Sequence, residues 1–76
     1  MAESAWRDAW PQHRVDFVDE TSHCLADHQS LMSGGQIPPW SARSEREKSQ
    51  LTEFVAWVFL SQERAMETLV KRGQIT

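Results

Sequence analysis

The chain carries two stretches in which apolar and polar positions alternate with the period of an α-helix, about 100° per residue. The stronger one runs from Ser44 to Arg72, SEREKSQLTEFVAWVFLSQERAMETLVKR. Leu51, Phe54, Val55, Val58, Phe59, Ala65, Met66, Leu69 and Val70 fall on one broad stripe, with Gln62 among them, while Glu53, Glu63, Arg64, Glu67 and Lys71 fall on the other side. Such a stripe predicts a helix buried along one face. Ser44 followed by Glu47 fits a capping box, in which each side chain satisfies an orphan backbone N–H of the other residue. Glu45 and Glu47 at the start and Lys71 with Arg72 at the end suit the helix dipole, and Gly73 supplies the stop.

The run Phe54–Leu60 is apolar without interruption. Its β-branched and aromatic residues also suit a strand. The flanks contain no glycine or proline, however, and the helical stripe continues on both sides. Trp57 and Leu60 do not fit that stripe and project to its back or flank beside Ala56. A helix that is apolar nearly all round in its middle is buried on more than one side. Either another segment of the chain covers Trp57 and Leu60, or they form a patch that meets a partner or a second copy.

The second periodic stretch runs from about Pro11 to Met32. Val15, Val18, Leu25 and Met32 form one stripe, and Phe17, Thr21, Cys24, His28 and Leu31 form an adjacent one. Pro11 disfavours α conformation at Trp10 and suits the first position of a new helix. Before it, SAWRDAW predicts a short helical segment capped by Ser4, with Trp6 and Trp10 on one face. Ser33-Gly34-Gly35 ends the first long helix, and residues 33–41, rich in Gly and Pro, form the inter-helix loop. Ile37 and Trp40 are placed to plug the open end of the helix pair.

The predicted fold is therefore all-α, a single domain over residues 1–76. It is an antiparallel helical hairpin of about 11–32 and 42–72 with a short N-terminal helical segment. That segment is expected to fold back over Met66, Leu69 and Val70. Two helices with wide apolar faces leave surface over, and two hairpins forming a four-helix bundle would bury it.

Composition narrows the functions. At 76 residues, 39% hydrophobic and 25% charged, the chain is globular in character but short of core. One cysteine, Cys24, cannot form an internal disulfide. The net charge of −3 argues against a general nucleic-acid binder. The second helix begins with Arg43, Arg46 and Lys48, which could serve a DNA-binding regulator, but Glu45 and Glu47 interleave them and repel phosphates. No apolar run approaches the ~20 residues of a membrane span, and MAESAWRDAW has no signal-peptide pattern, so the expected location is the cytoplasm.

Candidate chemistry is sparse. Cys24 and His28, four apart, could place two ligands on one metal ion, and a dimer could supply two such pairs. A buried thiol beside a histidine is the simpler reading, so no metal or other cofactor is assigned. Ser22, His23, Asp19 and Asp27 are helix neighbours and do not make a triad, and no strand-turn nucleophile motif occurs. No enzymatic activity is expected. The four tryptophans are the chain's most unusual feature. They are large core fillers or interface anchors. The expected function is a non-enzymatic interaction module (an inhibitor, adaptor or regulatory subunit) that binds a larger protein. Its anchors would be Trp57 and Leu60, then Trp6, Trp10 and Trp40.

Overall fold

A computed structural model describes residues 5–74. Its regular elements are all helical, with α1 over Ala5–Ala9, α2 over Gln12–Met32, a short 3₁₀ turn at Trp40–Ala42 and α3 over Glu45–Lys71. No strand occurs among the described residues. The expected cap at Ser4 lies outside them.

The helix boundaries follow from local chemistry. At the start of α3 the Glu47 backbone N–H donates to Ser44 Oγ at 3.2 Å, and the Ser44 N–H donates to Glu47 Oε1 at 3.1 Å. This is the capping box that the Ser-x-x-Glu spacing implies. Both long helices end in the same device. Gly35 N–H reaches back to the Ser30 carbonyl at 2.8 Å and Gly34 N–H to Leu31 at 3.2 Å; Gln74 and Gly73 repeat the pattern onto Leu69 and Val70, each at 3.0 Å. These paired bonds are Schellman caps, which require a left-handed residue, and Gly34 and Gly73 supply it with φ of +68° and +74°.

Helices α2 and α3 pack antiparallel along their length, so that Phe17 meets Phe59 with ring centroids 5.4 Å apart and Arg14 pairs with Glu63. The centre of the contact is built from small side chains. Val18, Ser22 and Ala26 on α2 are buried against Thr52, Val55 and Ala56 on α3. Small residues let the two backbones approach closely. The polar ones among them cost little, because Ser22 Oγ donates to the Val18 carbonyl at 2.7 Å and Thr52 Oγ1 to the Ser49 carbonyl at 2.9 Å. Leu25, Leu51 and Phe59 flank this strip, half-buried.

This packing corrects the orientation read from the sequence. The contact is centred between Val55 and Ala56, turned by roughly 70° from the middle of the apolar stripe at 100° per residue. Ala56, expected at the back, is fully buried. Phe54 and Val58, expected inside, are exposed, Phe54 by 54%. On α2, Phe17, Leu31 and Met32 are exposed as well. The physical reason is the size of Ser22, Ala26 and Ala56. Close approach of two helices is worth more contact than the burial of a bulky residue that would hold them apart.

The N-terminal segment also lands elsewhere than expected. Trp6 and Trp10 pack against the Val18–Val55–Ala56 cluster, not over Met66 and Val70, which stay exposed. Arg7 fixes them there with a two-pronged bond to Asp19, Nη2 to Oδ1 at 2.7 Å and Nη1 to Oδ2 at 3.0 Å. Ile37 does not plug the end of the hairpin; it is exposed. The loop is held instead by polar contacts: Arg43 Nε donates to the Pro38 carbonyl at 2.9 Å, and its Nη2 donates to Gln29 Oε1 at 3.0 Å.

Candidate functional site

The four tryptophans divide into two groups. Trp6 and Trp10 lie 5.5 Å apart, and each carries an arginine on its ring, Arg7 at 4.5 Å and Arg14 at 3.9 Å from the centroid. Trp40 stacks on His23 at 5.6 Å with the rings 17° from parallel, and Lys48 approaches it at 5.5 Å. Its backbone N–H donates to Asp27 Oδ1 at 3.0 Å, and Asp27 Oδ2 stands 3.2 Å from His23 Nε2. These three indoles brace the chain's own helices on one side of the hairpin.

Trp57 is placed differently. It is 54% exposed, and no aromatic or cationic group among the described residues stacks on it. Phe54 and Val58, three residues before and one after, are exposed beside it on the outer surface of α3. Leu60, the other candidate on this helix, is half-buried. The outer side of α3 therefore carries an aromatic ridge, of which the sequence pattern indicated Trp57 and assigned Phe54 and Val58 to the core.

A second apolar surface adjoins it. On the side of the hairpin away from Arg7, Trp40 and Asp19, an open groove of about 980 Å³ lies between α2 and α3. Phe17, Thr21, Phe59, Gln62 and Met66 line it, with the Arg14–Glu63 pair at its rim. Sequence reasoning placed Phe17 and Met66 on interior stripes and did not see the groove. Ridge and groove meet at Val58, one turn from both Phe54 and Gln62. Phe17, Phe54, Val58 and Met66 together expose roughly 400 Å² of side chain, taking typical residue areas, with Trp57 turned away to the other side of α3. That is the size of the largest apolar patch on an ordinary monomer, and such patches commonly bind something.

Other candidate chemistry is not assembled. Cys24 and His28 are both exposed on α2, and no group of three or more His, Cys, Asp or Glu side chains among the described residues is arranged to hold a metal ion. Ser22 is buried with its hydroxyl committed to Val18, and Asp19 is committed to Arg7. Among the described residues, Arg7 and Glu47 are perturbed by structural contacts. The hydrogen bond to Asp19, opposed by partial burial, raises the pKa of Arg7. The Ser44 backbone N–H and, secondarily, the Ser44 side chain hold the Glu47 carboxyl below the usual range.

No helix among the described residues is long and apolar enough to cross a membrane. No protein-family model matches the chain, and neither a curated protein nor a solved structure matches it.

Proposed function

We propose that this chain is a small non-enzymatic interaction protein, an inhibitor, adaptor or regulatory subunit, which acts by burying the outer, Trp57-bearing side of the aromatic-rich helix α3 against a larger protein. The observation that carries this reading is Trp57, a half-exposed indole held on a long helix between Phe54 and Val58. Tryptophan is the residue most enriched among interface hot spots, and a rigid helix presents it with little ordering entropy to lose. Helix-in-groove docking is the recognition mode that suits such a ridge. Trp6, Trp10 and Trp40 support it indirectly, by fixing the hairpin that displays it. The reading includes self-association of two hairpins into a four-helix bundle. The single exposed thiol of Cys24 suits a reducing, cytoplasmic setting.

The test is affinity capture from the native host with the full chain as bait and Trp57→Ala as control. A protein captured stoichiometrically by the native chain and lost by the variant supports the proposal, provided the variant keeps its helical circular dichroism. Equal capture by both chains refutes it.

A further inference from the structure

The self-association included in that reading can be given a geometry. We infer that two copies of this chain pair through their α3 helices, antiparallel, about a twofold axis level with Leu60, and that the surface so covered is the open face of each hairpin. The inference rests on the proposal of self-association but not on the identity of any larger partner.

The spacing of the open face is the first support. Leu51, Phe54, Val58, Gln62, Met66 and Leu69 are all exposed or half-buried, and they point within about 70° of a common direction. Reversed about position 60, 51 falls on 69, 54 on 66 and 58 on 62. The face therefore meets its own reverse in register: Leu51 lies opposite Leu69 of the second copy, Phe54 opposite Met66, and Val58 opposite Gln62. An isologous contact requires this self-complementarity.

Charge is the second. Glu53, Glu63, Arg64, Glu67 and Lys71 all project at least about 130° away from this direction, so between Leu51 and Leu69 the α3 part of the face is free of charge, with the Arg14–Glu63 pair at the edge of the groove. Depletion of charge marks the core of an interface. At its two ends stand Glu47 and Arg72, both exposed. Reversed about position 60, Glu47 falls on Gly73, one residue from Arg72 of the other copy, and Lys48, paired with its own Glu45 at 3.6 Å, falls on Arg72.

Area is the third. The chain exposes 5716 Å², against about 4,800 Å² for a compact monomer of its 8.8 kDa mass. Its radius of gyration of 14.9 Å exceeds the roughly 11.4 Å expected for its length. The surplus, roughly 900 Å², matches the ~800 Å² that each partner buries in a standard stable interface.

The arrangement has two consequences. With Phe17 level with Phe59, Cys24 falls level with Thr52, so the two Cys24 residues lie roughly 24 Å apart along the bundle. The Cys24/His28 pairs then cannot share one ion. Trp57 faces roughly 110° away from the pairing direction and stays outward in the dimer, free for a larger partner.

The experiment is light scattering on the full native chain over a wide concentration range, with cross-linking to fix the register. Ser61→Cys in a Cys24→Ser background places two thiols beside the twofold axis, within reach of an ethane-bridged bis-maleimide. The expected results are a mass of twice 8.8 kDa that falls on dilution, a covalent dimer from Ser61→Cys, and none from native Cys24. Val58→Glu should lower the mass to that of a monomer at concentrations where the native chain is dimeric. Trp57→Ala should leave it unchanged, so a failure of pairing and a failure of partner binding are read separately. A monomer mass at every concentration overturns the inference. So does a dimer that cross-links through Cys24 and not through Ser61→Cys.

Discussion

Val18 and Met32 fall on one stripe of α2 by helical spacing, yet the structure separates them: Val18 is fully buried and Met32 is 71% exposed. Truncating each to alanine measures which description holds. Val18→Ala removes two buried methyl groups, about 1.6 kcal/mol at 0.8 kcal/mol each. The strip between Val55 and Ala56 is made of small, already close-packed residues and cannot collapse fully into the space, so a cavity term brings the loss to about 2–3 kcal/mol. A domain of this size commonly holds only ~3–5 kcal/mol in total. The variant should therefore lose about half its stability or more, with the thermal midpoint falling by roughly 10–20 °C. Met32→Ala removes more atoms but little buried surface, and should change stability by less than about 0.5 kcal/mol. Both are read by urea denaturation followed by circular dichroism at one fixed protein concentration, which keeps any association equilibrium constant between variants. Equal losses at the two positions would refute the packing described, since they would mean that α2 buries the whole stripe.

Three further outcomes follow from local geometry. Gly34→Ala places a side chain in open space but on a backbone with φ of +68°, so it should destabilise by about 1–2 kcal/mol in the same denaturation assay, through conformation alone. Glu47→Gln retains a capping partner for Ser44 but removes a carboxylate whose folded pKa is depressed. A depressed carboxylate contributes stability that is present above its unfolded value and lost as pH falls through the folded one, so the native chain should weaken below the ordinary glutamate range more steeply than the variant in an acid titration of helicity. Asp19→Asn breaks the Arg7 fork, whose side chains are more than a third exposed; the cost should be about 1 kcal/mol or less, accompanied by a red shift of tryptophan emission as Trp6 and Trp10 loosen.

Much of this architecture was legible in the residues. The Ser44–Glu47 box, the Gly34 and Gly73 stops and the corner at Pro11 are signals carried within a few positions, and each marks the boundary that the helices take. The facing of the helices was not legible. Hydrophobic periodicity weighs a helix by its bulky residues, whereas α2 and α3 meet through Ser22, Ala26, Thr52 and Ala56, which carry little weight on any hydrophobic scale. The stripe was therefore correct as a stripe and misplaced as a contact by most of a helix flank. The same cause hid the site. Phe54 and Val58 read as core because they are apolar and in phase. They stand outside because α1 covers one flank of the contact with Trp6 and Trp10, and nothing comparable among the described residues covers the other. Trp57 was legible because it broke the pattern.

The central claim is that α3 turns Thr52, Val55 and Ala56 inward and leaves Phe54, Trp57 and Met66 on the surface, with the pairing face distinct from Trp57. Hydroxyl-radical footprinting of the native chain, resolved by residue and repeated at low and high protein concentration, tests it most directly. At low concentration Phe54, Trp57 and Met66 should be oxidised markedly faster than Trp6 and Trp10. At high concentration Phe54 and Met66 should become protected while Trp57 stays reactive. A Trp57 as protected as Trp6 at every dilution would contradict the orientation of α3, and with it the functional surface proposed on that helix.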